Sequence, residues 1–276
     1  MLGGRRMTTV GVVTGAGRGM GYACAQRLSG TVDVLLLADR DAATVATAAE
    51  ALAPAGAVEP IVLDITDGDA LARLADRVSE LGTLRAVAHA AGISPTMADW
   101  RQIFTVDLVA TAMLAETLRP LATAGTATVC FASMAGSMAQ SGLTPEVAEV
   151  LDDPLGARFL DRIRDAAGPT VEHSGAAYAL AKLGVQRFVR REAVRLGPRG
   201  ARICSVSPGI IDTPQGRQEA EHNPRMGGFV QQTPLGRTGR ADEVAAVVAF
   251  ALSDDAGFLS GTDLLVDGGV CAAMST

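Results

Sequence analysis

The chain has 276 residues, 48% of them hydrophobic and 20% charged, and a net charge of −6. That length suits one large α/β domain or two small ones, and the apolar share allows a sizeable core. The acidic balance excludes a sequence-independent nucleic-acid binder, which needs a basic face for phosphates. No apolar run approaches the roughly 20 residues of a membrane helix. Arg5-Arg6 precede an apolar stretch that Thr14-Gly15 interrupts too soon for a secretory signal, and residues before Met7 read as a disordered lead-in or a start-site ambiguity. Cys24, Cys130, Cys204 and Cys271 are scattered, with neither metal-ligand spacing nor disulfide density, so no metal is expected and the cytoplasm is the natural compartment.

Along the chain, short apolar runs alternate with stretches of helical period, the pattern of βαβ units. Strands are predicted at Thr9–Thr14, Val34–Ala38, Pro60–Leu63, Ala86–Ala90, Thr126–Ala132, Arg202–Val206 and Asp263–Val266. Most lack polar alternation, as strands covered on both faces do. Helices are predicted at Gly19–Ser29, Ala42–Ala53, Asp67–Leu81, Trp100–Leu121, Ala177–Leu196 and Ala241–Leu252. With no linker, repeat or low-complexity tract, residues 1–276 form one doubly wound α/β domain. Its seven-stranded parallel sheet carries helices on both faces.

The first strand runs into Thr14-Gly15-Ala16-Gly17-Arg18-Gly19-Met20-Gly21, a GxxxGxG loop opening a helix. Glycines allow the tight turn and close backbone approach, and the helix N-terminus offers N–H groups to a pyrophosphate. The bland alternative is a tight strand-to-helix turn. Asp39 favours dinucleotide binding, because it ends the second strand 18 residues beyond Gly21 (39 − 21). A carboxylate there accepts from ribose hydroxyls and repels a 2′-phosphate, which favours NAD over NADP. Arg18 and Arg40 pull the other way as phosphate partners, or else only solvate the surface.

Tyr178 and Lys182 lie four apart early in a helix and so share one face. The adjacent cation is expected to favour the phenolate and bring a phenol of pKa about 10 toward the working pH, fit to exchange a proton with an alcohol or ketone. A lone YxxxK often only decorates a helix. Here Lys182 is the sole lysine among 24 cationic residues, and Tyr178 is one of two tyrosines, with Tyr22. One position kept the compact ammonium that arginine's planar fork cannot imitate.

From about Thr8 to Val270 the chain resembles the short-chain dehydrogenase/reductase family, whose domain is of the Rossmann type. The family's TGxxxGxG matches Thr14–Gly21, its YxxxK matches Tyr178 and Lys182, and its PG motif matches Pro208-Gly209 with Thr213 downstream. Pro234-Leu-Gly-Arg237 through Asp267-Gly268-Gly269 match its C-terminal stretch. The resemblance implies that Lys182 also bonds the nicotinamide ribose and that the segment of Ile211 and Thr213 holds the carboxamide. It places Asp64 and Ile65 at the adenine, and Gly15, Gly19, Met20, Gly21, Ala91 and Gly92 along the dinucleotide. Ser133, after the fifth strand, would bond the substrate oxygen and stabilise charge there; Ser137 and Ser174 are its rivals.

Two positions depart from the family. Its NNAG reads His89-Ala90-Ala91-Gly92, removing a sheet-stabilising asparagine and leaving His89 as a strand-end packing residue rather than a base. The asparagine of the next helix, which holds a water in a proton relay with the lysine, is Asp107; a carboxylate accepts from that water too, so the relay is expected to survive with altered pH dependence.

Ser133 precedes Tyr178 by 45 residues (178 − 133) rather than about a dozen, so residues 141–173 read as an insertion. Asp153-Pro154 supplies a helix N-cap and N1 proline, Gly168 a C′ glycine, and Leu155, Phe159, Leu160 and Ile163 an apolar face. This insertion loosely resembles that of hydroxysteroid dehydrogenases. It is expected beside the active-site mouth, altering subunit association toward a dimer where many relatives form tetramers; the bland alternative is a mobile loop. Residues 212–240 exceed an ordinary turn and read as a substrate loop. The expected activity is hydride transfer between NAD(H) and a secondary alcohol or ketone, small-molecule in any case and bulky, alicyclic or steroid-like if the insertion resemblance holds. The alternatives are an NADPH-linked ketone or 3-ketoacyl-carrier reductase and a non-catalytic dinucleotide sensor; a sensor needs the glycine loop but not Ser133, Tyr178 and Lys182.

Overall fold

The computed structural model describes residues 7–223 and 225–275; the expectation for residues before Met7 lies outside them. Seven parallel strands form one sheet in the order β3-β2-β1-β4-β5-β6-β9. They are β1 (Thr9–Thr14), β2 (Val34–Asp39), β3 (Ala57–Val62), β4 (Thr83–His89), β5 (Ala127–Phe131), β6 (Arg202–Pro208) and β9 (Asp263–Val266). The remaining two, β7 (Ile211–Asp212) and β8 (Gly239–Arg240), pair only with each other.

The sheet is apolar on both faces, as the unalternating runs require. Val13, Leu35 and Leu37 pack toward one layer, with helices Gly19–Leu28, Ala42–Leu52 and Ala241–Leu252. Val10, Val12 and Leu36 point the opposite way, toward helices Gly68–Leu81 and Ala110–Leu118. Register aligns Thr14 with Ala38 and with His89, and His89 with Cys130, so the carboxyl ends of β1, β2, β4 and β5 form one edge. Strand order reverses between β1 and β4, and a crevice opens there by the general rule for such sheets.

Several expectations are corrected. The third strand begins at Ala57 rather than Pro60, because it is an edge strand with little full burial, where a proline costs no ladder partner on the open side. The helix expected unbroken over Trp100–Leu121 contains a π-turn at Thr105–Val109 between two α segments. Such turns insert one extra residue and re-aim the side chains near them. Asp107 is on this turn.

The insertion holds two helices, and neither starts at Asp153-Pro154. The first, Pro145–Leu151, is capped by the Thr144 hydroxyl, which accepts from the Val147 N–H, with Pro145 at N1. Asp153 instead accepts from Arg162 at 2.7 Å, an ion pair in place of a cap. The second helix, Phe159–Ala167, starts after Arg158 in the left-handed region (φ 56°) and ends at Gly168 (φ 70°), as expected. Phe159 and Ile163 are buried, whereas Leu155 is exposed and not part of the apolar face. Val147, Val150, Leu151, Phe159 and Ile163 join Trp100, Phe104 and Leu183 in one core cluster, so this segment is packed structure, not a loose loop. Residues 212–240 are likewise helical in large part, with Pro214–His222 and Arg225–Gln232 bracketed by the β7–β8 pair.

Candidate active site

A cavity of about 540 Å³ runs along the carboxyl edge of the sheet, from Asp64 and Ile65 past the glycine loop to Ser133, Tyr178 and Thr213. Of the residues expected to contact the cofactor, Gly15, Arg18, Gly19, Met20, Gly21, Asp39, Arg40, Ala91, Gly92, Pro208, Gly209 and Ile211 also line it. Lys182 and Asp107 do not; both are buried behind the wall.

The glycine loop has the shape a dinucleotide needs. Gly15 takes φ 65°, and a Cβ there would lie 2.7 Å from the Ala91 nitrogen. At Gly21 a Cβ would lie 2.0 Å from the Gly15 carbonyl oxygen, so the first helical turn closes on the loop only without a side chain. Arg18, the N-cap of Gly19–Leu28, makes no side-chain capping bond, which leaves the first-turn N–H groups for an anion. Asp39 is fixed by two backbone donors, Gly17 N–H at 2.9 Å and Asp41 N–H at 3.1 Å. Each carboxylate oxygen keeps a second lone pair for a hydroxyl. Asp64 accepts from the Thr66 N–H and hydroxyl at 2.9 and 2.7 Å, which holds its carboxyl below the usual range. These residues fit a nicotinamide dinucleotide laid from Asp64 toward Thr213.

At the other end, Ser133 follows β5 and caps the next helix, accepting from the Ala135 N–H at 3.2 Å. Of the rival serines, Ser137 accepts from the Gln186 amide at 3.0 Å, and neither it nor Ser174 lines the cavity. Tyr178 projects from helix Ser174–Leu196, and Lys182 Nζ lies 5.6 Å from the centre of its ring. That ammonium donates to the Phe131 carbonyl at 3.1 Å and lies 3.4 Å from Asp107 Oδ1. The expected lowering of the phenol is therefore corrected. Burial raises the Tyr178 pKa, the Asp107 carboxylate raises it further, and the Ser133 hydroxyl pulls the other way. The cation is matched by a carboxylate closer to it than the ring is.

The π-turn brings Asp107 into this position. Its Oδ1 also accepts from the Ile93 N–H at 3.0 Å, and burial pushes the carboxyl upward against the pull of Lys182. His89 is a packing residue, as expected, and a polar one. Its Nδ1 is 2.7 Å from the Thr14 hydroxyl and its Nε2 is 2.9 Å from that of Thr111. Thr111 donates its own proton to the Asp107 carbonyl at 2.9 Å, so Nε2–H donates to Thr111 and Nδ1 accepts from Thr14. Burial and the nearby Lys182 hold His89 neutral, with a pKa of about 3.

Sequence reasoning missed Glu219, which lines the cavity from helix Pro214–His222 with its carboxyl pushed up by burial. The available signal was Thr213-Pro214, an N-cap and N1 pair; the Thr213 hydroxyl accepts from the Gly216 N–H at 3.0 Å. Residues 141–173 contribute no wall to the cavity and pack against Phe104 and Leu183. Among the described residues there is no cluster of His, Cys, Asp or Glu able to hold a metal, and no helix long and apolar enough to cross a membrane.

The family profile described as enoyl-(acyl carrier protein) reductase matches residues 15–147 and 165–271, breaking off within the insertion. A short-chain dehydrogenase/reductase of Alternaria brassicicola is 32% identical, the match covering 96% of each chain. The cis-4-hydroxycyclohexanecarboxylate dehydrogenase of Sinomonas cyclohexanicum is 32% identical over 95% of this chain and 96% of its own. Among solved structures, a short-chain type dehydrogenase/reductase from Mycobacterium ulcerans superposes with a TM-score of 0.76 at 26% identity, covering 96% of this chain and 90% of that one.

Proposed function

Because the chain belongs to the short-chain dehydrogenase/reductase family and is an NAD(P)-dependent oxidoreductase acting on CH–OH groups, we propose that it interconverts a secondary alcohol and its ketone with NAD(H) as the preferred cofactor. The observation that carries this reading is the grouping of Ser133, Tyr178 and Lys182 at one end of a cavity whose other end presents Asp39 and the glycine loop. Bound along that cavity, the nicotinamide supplies or accepts the hydride. Tyr178 takes the hydroxyl proton of the alcohol, or returns it to the ketone oxygen. Ser133 donates to the same oxygen and stabilises the charge that grows there. Lys182 is anchored by Phe131 and orients the ribose.

Asp39 supports NAD because a 2′-phosphate would meet a carboxylate already fixed by Gly17 and Asp41. Arg18 and Arg40 line the same end and support the NADPH-linked reading, including 3-ketoacyl-carrier reduction. The substrate we favour is a small alicyclic secondary alcohol, in line with the relative named for a hydroxycyclohexane acid. A steroid-sized substrate rested on the insertion, which supplies no cavity wall. The test follows nicotinamide absorbance with NAD or NADP against cyclic and acyclic secondary alcohols, hydroxysteroids included. Turnover of cyclic alcohols with NAD is expected; binding of cofactor without turnover of any member would make the protein a sensor.

A further inference from the structure

Asp107 and Lys182 form an ion pair sealed from solvent, with side-chain exposures of 0% and 5% and a separation of 3.4 Å. The pair occupies the space above Gly92, where a Cβ would lie 2.8 Å from Asp107 Oδ1 and 3.3 Å from Lys182 Nζ. Its two carboxylate oxygens are unequal. Oδ1 takes both the ammonium and the Ile93 N–H, while Oδ2 is buried without a hydrogen-bond partner from the protein. An oxygen left unpaired in the interior carries the full desolvation cost of its charge, so packing alone gives no reason for a carboxylate here over an amide of the same shape.

We propose that Asp107 is a positioning residue that sets the working pH of Tyr178 by neutralising the Lys182 ammonium. The proposal rests on the reading of Tyr178 as the proton carrier. The ammonium is 3.4 Å from Asp107 Oδ1 and 5.6 Å from the Tyr178 ring centre, so the carboxylate is in direct contact with it. A matched cation exerts little net attraction on a growing phenolate, and the phenol keeps its proton to higher pH. The other groups facing this cluster do not replace that control. Beyond β4, Gly92 has no side chain and Ile93 offers only its N–H, while His89 is held neutral. On Asp107's own helix the Thr111 hydroxyl bonds the backbone carbonyl. Facing Tyr178 are the uncharged Ser133 and, from helix Pro214–His222, Glu219, whose charge raises the phenol in the same sense as Asp107 and more weakly.

The orphaned oxygen makes the test clean. In Asp107→Asn the carbonyl oxygen can keep both bonds of Oδ1, and the new NH2 group takes the place of an oxygen without a protein partner. What changes is the charge. The ratio of oxidation to reduction at any one pH is fixed by the overall equilibrium, so the readout is where the inflection falls. With only two tyrosines in the chain, a Tyr22→Phe background reports Tyr178 alone by tyrosinate absorbance, without cofactor or substrate. In that background Asp107→Asn should move the tyrosinate midpoint down by at least one pH unit, a tenfold rise in phenolate at a fixed lower pH. The inflections of kcat/KM for both alcohol oxidation and ketone reduction should move with it. Asp107→Ala should shift them in the same direction. Superimposable titrations, or an even slowing at every pH with the midpoint unmoved, would overturn the proposal. So would loss of the folded state in both variants, which would make the carboxylate a structural group. Failure of every secondary alcohol as a substrate would instead strike the functional reading and leave the tyrosinate titration to stand by itself.

Discussion

Arg187 grips Asp152 through two parallel hydrogen bonds, Nε and Nη2 each at 2.8 Å from a carboxylate oxygen, and so fastens the insertion to the catalytic helix. Arg191 reaches the same carboxylate at 3.1 Å, and the Phe159 ring meets Phe104 edge-on at 5.7 Å. The segment therefore packs on both the helix carrying Tyr178 and the helix of Phe104. Replacing residues 143–172 with a short Gly-Ser linker should uncover apolar surface and shift the protein toward larger species, read by sedimentation velocity. Substrate preference should not change, because none of the removed residues walls the cavity. An unchanged sedimentation profile across concentrations would deny the insertion its role in assembly.

His89 makes stability depend on pH. Its pKa falls from 6.5 to about 3 in the fold, because burial and Lys182 disfavour the charged ring. Between those values the unfolded chain binds a proton that the native state refuses. Stability therefore falls as pH drops below about 6.5, by up to about 1.4 kcal/mol per pH unit from this residue. Urea midpoints measured from pH 7.5 to 4.5 should drop more steeply for the parent protein than for His89→Asn. Parallel slopes would mean that other groups dominate acid unfolding.

Lys182→Arg preserves charge but should lower turnover by about 10²–10⁴-fold. The ammonium sits in a buried niche bounded by the Phe131 carbonyl at 3.1 Å and Asp107 at 3.4 Å, too small for a planar guanidinium. Overpacking should also cost about 1–3 kcal/mol of stability. Single-turnover rates at saturating cofactor separate the chemical loss from weaker binding, and a near-parental rate would refute the assignment.

Cofactor choice should rest on Asp39. The protein is expected to show higher kcat/KM with NAD than with NADP, and Asp39→Ala should narrow the gap by removing repulsion of the 2′-phosphate. The variant also loses the bonds to Gly17 and Asp41, so NAD binding itself should weaken. A tenfold preference of the parent protein for NADP would reassign that end of the cavity to Arg18 and Arg40.

Strand positions, the glycine loop and the Tyr178–Lys182 spacing were legible because each depends on local rules: apolar runs, backbone freedom and helical period. The errors arose where a distant partner decided. Asp153-Pro154 and Thr144-Pro145 carry the same helix-start signature; only Thr144 caps a helix, while Asp153 pairs with Arg162. The π-turn at Thr105–Val109 leaves no mark in a periodic pattern, so Asp107 could be named but its contact with Lys182 could not be placed. Burial, and then the Asp107 charge, similarly reversed the expectation for Tyr178, since the spacing of Tyr178 and Lys182 says nothing of either.

The burial of Lys182 gives the chain an unusual chemical silence. Reagents that acylate lysine side chains find arginines over the folded surface and a lone lysine whose side chain is only 5% exposed. Modification at that position must wait for the site to open. Its rate then becomes a clock for the local breathing of the active centre, and isotopic labelling of lysine would place one resonance, free of overlap, at the heart of the molecule.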